Sequence, residues 1–428
     1  MKASYIGTLR SSLLVRNISK VYGGDVLSKV LAFGTLLLLI RGLSVNDYAA
    51  YTAFWAILSL VPGLVGNGVN KALVRFSAEY LSKNGKRPFE LYLIGFLFQI
   101  VLYLIACVIL LSTSDKVNSL LFGQKAFSSA FRYGLIAGLG VLLTQGGRSV
   151  YQAEERFGDY IKTLWLRQIL GFTVILSLFL MKRLDFQRAV FSMVAVNLIV
   201  GAAISIHIFK DSNLKKLIIS LTEQIDTIKD FFRSTGWLIA YFFTLAAFQR
   251  LDVFMLSHFS TEQELANYGV AFRYYSMALL LLGSIHAVLL PRFSKVDMQD
   301  PTKQRHFAFR WLRTFVWLII PIVIADSLGK PLFVWITGAQ YERAFYIFVV
   351  FSIGIWLSLM FSPLVSILIG RKAFKFLFML AVGALSLNFT GNYLLIPIWG
   401  GFAAAAVTIL SHGLINVASS IRVCLSDR

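Results

Sequence analysis

The chain has 428 residues, 57% of them hydrophobic and 14% charged, with a net charge of +20. That is too apolar for a soluble domain of any class. The Lys and Arg residues gather in short stretches between apolar runs, which sets nucleic acid aside as the partner and points to a membrane protein.

In chain order, 1–20 carries Lys2, Arg10, Arg16 and Lys20, with Ile6, Leu9, Leu13 and Ile18 at roughly helical spacing. It reads as an amphipathic helix on the inner membrane face or as a basic tail. It lacks the apolar core and small-residue cleavage site of a signal peptide. A span needs about 20 mostly apolar residues, and twelve such runs follow. They are Tyr22–Ile40, Ala49–Val69, Leu91–Leu111, Phe131–Gln145, Leu164–Met181 and Ala189–Phe209, then Gly236–His258, Asn267–Pro291, Trp311–Ala325, Phe345–Ile369, Phe374–Pro397 and Phe402–Val423. Arg132, Gln145 and Arg167 blur the ends of the fourth and fifth.

With the N-terminus inside, 29 of the 41 Lys and Arg residues fall on the inner side, 9 on the outer, and Lys29, Arg250 and Arg273 inside spans. This asymmetry predicts an even number of spans with both termini cytoplasmic. The longest connection, about Lys210 to Arg233, has an apolar stripe of Ile218, Leu221, Ile225 and Ile228 and predicts an interfacial linker helix. The expected fold is therefore all-α. Residues 1–209 form one six-helix bundle, 210–234 a cytoplasmic linker and 235–428 a second bundle, the two related by a pseudo-twofold along the membrane normal.

A repeat supports that symmetry. Shifting the sequence by 217 positions lays Ala49–Ser77 on Ala266–Ser294 without a gap, and nine of 29 pairs are identical. They include Tyr51/Tyr268 and the triplet Arg75-Phe76-Ser77 against Arg292-Phe293-Ser294. The two cysteines, Cys107 and Cys424, have neither a disulfide nor a metal spacing. No phosphate-binding loop, zinc-protease or serine-hydrolase motif is present, and the outer loops are short, so no cofactor and no enzyme activity are expected.

Two helical pairs carry a family resemblance. LLLIRGLSVNDYAAYTAFWAILSLVPGLVGNGVNKALVRFSAEYL (Leu37–Leu81) resembles the first pair of bacterial polysaccharide flippases. RLDVFMLSHFSTEQELANYGVAFRYYSMALLLLGSIHAVLLPRFSKV (Arg250–Val296), with Asp252, the Tyr268-Gly269 step and the Leu290-Pro291-Arg292 end, is similar to the matching pair of the second half. The family is the O-antigen flippase (Wzx-type) branch of the multidrug/oligosaccharidyl-lipid/polysaccharide exporter superfamily. The resemblance implies a V-shaped pair of bundles around a cavity lined by spans one, two, seven and eight. It implies a cargo of undecaprenyl-pyrophosphate-linked oligosaccharide, turned across the bacterial inner membrane. The implied partners are that lipid, the surrounding membrane lipids and the polysaccharide polymerase machinery. Other readings are a flippase for a different glycan precursor, a cation-coupled exporter of the same superfamily, and a membrane glycan polymerase or ligase.

Such a cargo needs cations for its diphosphate and amides, hydroxyls and rings for its sugars. The intramembrane charges Lys29, Arg250, Asp252 and Arg273 are the first candidates, because an ionisable residue in a span tends to mark a solute path. The plainer reading for the three cations is snorkelling to an interface. Asp252 is expected to pair with another helix, through Lys29 or Arg273. Asn67, Asn70 and Lys71 read as headgroup contacts or ordinary helix-end chemistry. Tyr268 reads as a sugar-stacking ring or part of the aromatic belt, and His286 as a titratable or simply packed imidazole.

Overall fold

A computed structural model describes residues 27–85, 87–113, 116, 127–210, 212, 225–293, 301–370 and 373–425. The first described helix, α1, covers 27–42. Then come α2 (Val45–Asn84), α3 (Phe89–Ser112), α4 (Ser128–Ala153), α5 (Phe157–Leu180) and α6 (Phe186–Phe209). The second half holds α7 (Ile225–Phe259), α8 (Glu262–Phe293), α9 (Pro301–Phe315), α10 (Ile319–Leu328), α11 (Lys330–Thr337), α12 (Glu342–Gly370), α13 (Phe374–Trp399) and α14 (Gly401–Leu425).

Local chemistry sets the helix ends. Ser44 accepts a hydrogen bond from the Asp47 N–H at 3.1 Å and starts α2. Thr261 does the same for the Glu264 N–H at 3.3 Å and starts α8. The two caps stand 217 positions apart, the shift of the sequence repeat. Gly85, at φ +65, closes α2 with its N–H on Leu81 O at 2.9 Å.

Two lobes result. In the first, α2 packs on α3 and α4, and α6 on α4 and α5. In the second, α13 packs on α7, and α14 joins α12 and α13, with α8 against α12. The lobes meet along α2, which touches both α7 and α8. Two seams need glycine. A Cβ on Gly140 of α4 would lie 2.3 Å from Asn197 O of α6, and one on Gly68 of α2 would lie 2.6 Å from Ile239 Cα of α7.

Among the described residues, nine helices are long and apolar enough to cross a membrane. Their outer faces carry apolar side chains such as Val108 (66% exposed), Ile206 (70%) and Leu410 (66%), as a hydrocarbon solvent requires. The helices α1, α4 and α8 complete the two bundles.

Several expected boundaries shift. The fourth span extends past Gln145 to Ala153, and the fifth begins at Phe157, so Arg148 lies in a helix and Gln145 and Arg167 stand well inside theirs and not at the ends. The ninth is continuous over Phe309–Leu328 but carries a 3₁₀ turn at Val316–Leu318 between α9 and α10, and the short α11 follows. Residues 225–234 of the expected linker are the first turns of α7. The expected helix at 1–20 and linker residues 213–224 lie outside the described residues.

The two ends of the bundle differ. One carries residues 85, 87 and 88 and the turn at 154–156 and is here called the basic face; the other carries the turns at 43–44 and 260–261 and is called the far face. In the far half a single apolar cluster runs through both lobes, from Leu36, Tyr48 and Phe54 to Tyr268 and Phe351. In the basic half each lobe has a cluster of its own, around Leu73, Tyr92 and Val150 in the first and Tyr241, Leu364 and Leu377 in the second, and a small one, Val69 and Ala72 of α2 with Ile239 of α7, bridges them.

Candidate functional site

Between the lobes lies a cavity of about 320 Å³ into which three arginines project, Arg167 from α5, Arg250 from α7 and Arg273 from α8. Arg250 stands nine residues before the end of α7 and Arg273 eleven after the start of α8. At about 1.5 Å per residue the two reach similar depth below the far face. The Arg273 guanidinium lies 4.0 Å from the Trp55 ring centre and 6.0 Å from that of Tyr51, so it stacks across the lobe boundary. Arg250 lies 5.5 Å from the Phe272 ring centre. Among the described residues no carboxylate pairs with any of the three. Three unneutralised guanidiniums in a cavity walled by Tyr51, Trp55 and Phe272 make a site for an anion, with Thr35, Asn197 and Ser276 as neutral hydrogen-bonding groups.

Asp252 lies elsewhere. It is 2% exposed and sits inside the second lobe. Tyr268 OH donates to it at 2.8 Å, Asn392 Nδ2 at 2.7 Å and Thr408 Oγ1 at 2.5 Å. These donors bring α7, α8, α13 and α14 to one carboxylate. The partners are neutral hydroxyls and an amide, and not Lys29 or Arg273 as the sequence suggested. Two residues along a helix turn the side chain to the opposite face, so Arg250 faces the cavity while Asp252 faces its own lobe.

The other expected residues divide similarly. Lys29 is half-buried on α1 and does not line the arginine cavity. Tyr268 is buried, its hydroxyl on Asp252 and its ring stacked 5.8 Å from Phe272. The His286 side chain lies outside the described residues. Asn67, Asn70 and Lys71 line a second cavity of about 340 Å³ in the basic half, with Gln145, Arg148 and Gln249.

Sequence reasoning missed Arg167, Arg148 and Trp55. Arg167 satisfies the criterion that found Arg250, since it stands within the apolar run Leu164–Met181. From the sequence it reads as an end residue, whereas α5 begins seven positions before that run and so carries Arg167 well inside the helix. Trp55 carries no signal of its own; the structure supplies it by placing Arg273 over its ring.

Residues 14–297 match the family described as polysaccharide biosynthesis protein. The Lsg locus protein 1 of Haemophilus influenzae is 24% identical over 354 residues, 81% of this chain and 82% of that protein. Among solved structures, the lipid II flippase MurJ in an inward closed conformation superposes with a TM-score of 0.69 at 13% identity, covering 95% of this chain and 90% of that one. A multidrug resistance MATE family transporter of the MOP superfamily, inward-facing, gives 0.63 at 13%, covering 93% and 94%. The eukaryotic MATE transporter AtDTX14 gives 0.63 at 15%, covering 96% and 95%. These structural likenesses establish the two-lobed helical fold. Since the family match spans more than half of its length, the chain belongs to the polysaccharide biosynthesis protein family, and it is a multi-pass membrane protein with the two-lobed helical fold that these structures share.

Proposed function

We propose that this protein is a flippase that carries an undecaprenyl-diphosphate-linked oligosaccharide across the bacterial inner membrane by alternating access, without a bond-breaking step. The observation that carries the reading is the trio Arg167, Arg250 and Arg273 in one inter-lobe cavity without a carboxylate among the described residues. A diphosphate leaving water needs such donors, while a site built for a cationic drug would be acidic. The family match supports a glycan cargo. The basic face is the cytoplasmic one by the charge asymmetry, which puts both termini inside. The halves 1–209 and 225–428 are then the moving bodies, connected through 210–224.

The test locates the lipid-linked oligosaccharide in a host depleted of the protein and complemented with wild type, Arg250→Ala or Arg273→Ala. Depletion is expected to hold the glycan in the cytoplasmic leaflet. Both variants should insert normally and restore less than about a tenth of wild-type export, because each removes one charge-assisted contact of about 1.5–3 kcal/mol. Glycan that reaches the outer leaflet as unpolymerised units in the depleted host would overturn the flippase reading in favour of a polymerisation step.

A further inference from the structure

The second cavity has a different chemistry from the first. Its wall is rich in side-chain amides: Asn67 and Asn70 of α2, Gln145 and Gln152 of α4 and Gln249 of α7. A guanidinium only donates hydrogen bonds, whereas each amide both donates and accepts, as a sugar hydroxyl does.

Two cations line this cavity, Lys71 and Arg148, and the second is already engaged through its Nη2. Arg148 Nη2 donates to Tyr160 OH, and the guanidinium lies 4.4 Å from the Tyr160 ring centre. Lys71 is exposed. The amides, by contrast, are organised. Gln99, 2% exposed behind the wall, donates through Nε2 to Asn70 Oδ1 at 3.1 Å and to Gly95 O at 3.0 Å, which fixes the Asn70 side chain. Gln145 Oε1 and Arg148 Nε are buried and have no hydrogen-bond partner among the described residues. They stand three positions apart on α4, hence on one helix face. A buried acceptor and a buried donor side by side, both unsatisfied, are costly unless a ligand supplies the complementary groups. Neighbouring sugar hydroxyls, or the N–H and C=O of an acetamido substituent, are such groups, and Tyr160 adds a ring face.

The arginine cavity adjoins this one along α7, where Gln249 lines the one and Arg250 the other. We infer that the amide cavity is a sugar subsite, distinct from the arginine cavity that takes the diphosphate, and that it makes the transporter selective for a glycosylated carrier over the bare lipid. The inference rests on the flippase reading and names the part of the cargo that each cavity takes.

The experiment measures binding to the full-length protein in detergent by native mass spectrometry. The two probes are undecaprenyl diphosphate and the undecaprenyl-diphosphate-linked oligosaccharide extracted from the host membrane. Wild type should hold the glycosylated probe roughly tenfold more tightly. Gln145→Leu, nearly isosteric but without the acceptor, should bring the two probes to similar affinity and leave the bare lipid unchanged. Arg250→Gln should weaken both probes by a similar factor. If Gln145→Leu lowers the thermal midpoint, Gln249→Leu, an exposed residue on the opposite lobe, decides by the same ratio. A wild type that binds both probes equally, or a preference that survives in Gln145→Leu and Gln249→Leu, overturns the sugar subsite alone. Failure of wild type to bind either probe overturns the flippase reading and the subsite with it.

Discussion

Arg250 and Asp252 stand two positions apart on α7, and that spacing gives one to the cavity and the other to the lobe interior. The carboxylate of Asp252 is the common acceptor for Tyr268, Asn392 and Thr408. Asp252→Leu would strand those donors, each at a cost of about 1–3 kcal/mol. Thermal unfolding of the purified protein in detergent should show a large drop in midpoint for Asp252→Leu. Arg250→Ala, which leaves no buried partner behind, should stay within about 0.5 kcal/mol of wild type. Equal midpoints for the two variants would remove the structural role assigned to Asp252. At this scale the sequence was readable wherever a charge interrupts an apolar run, which is how Arg250 and Arg273 were found. It was unreadable wherever function lies in the pairing of ordinary residues. Nothing about Asn392 or Thr408 marks it as a partner of position 252, since both lie about 140 or more residues away in neutral, helical surroundings.

The helices themselves were largely legible, because apolar runs are local, and the 217-residue repeat related the two halves. Ser44 and Thr261 show the repeat at the level of hydrogen bonds: each begins the helix that carries the aligned tyrosine, Tyr51 or Tyr268. The 3₁₀ turn of the ninth span has a signal in the sequence that the apolar run hides: Pro321 has no N–H for the Trp317 carbonyl, four positions before it and inside the turn Val316–Leu318. Trp356 Nε1 donates to the neighbouring Val316 O at 3.2 Å. The glycine seams are a matter of packing between elements. Gly201 of α6 faces Gly140 of α4, and a Cβ there would lie 2.6 Å from Gly140 O. Gly140→Ala must therefore push two backbones apart, an overpacking of about 1–3 kcal/mol. Gly383 of α13 has open space around it, so Gly383→Ala should be neutral or slightly stabilising in a helix. Comparing the two thermal midpoints checks this; an equally benign Gly140→Ala would mean that the α4–α6 crossing relaxes freely.

The whole molecule is asymmetric from face to face. One large apolar cluster joins the lobes in the far half, while in the basic half each lobe has a cluster of its own and only a small one, Val69 and Ala72 of α2 with Ile239 of α7, joins them among the described residues. The far half is further fastened by Arg41 at the end of α1, whose Nε donates to Ile336 O at 2.9 Å and whose Nη2 donates to Trp335 O at 2.5 Å. Those carbonyls belong to the last turn of α11, where a helix leaves acceptors unpaired and favours a cation. The lobes are thus fastened most extensively in the far half, and the alternating access proposed above would break the Arg41 contact to expose the cavity on the far side. Exposed charged contacts of this kind contribute about 0.2–1 kcal/mol, and each 1.4 kcal/mol is about a tenfold change in population. Arg41→Ala should therefore raise the population open at the far face by roughly two- to fivefold. Thr52 reports on that opening, because it is 8% exposed and packs against Gly269 across the lobe boundary. Thr52→Cys in otherwise wild-type protein should react slowly with a membrane-impermeant maleimide applied to the outer surface, and about two- to fivefold faster when combined with Arg41→Ala. An unchanged rate would mean that the latch contributes nothing to closure and that the apolar cluster alone holds the far half shut.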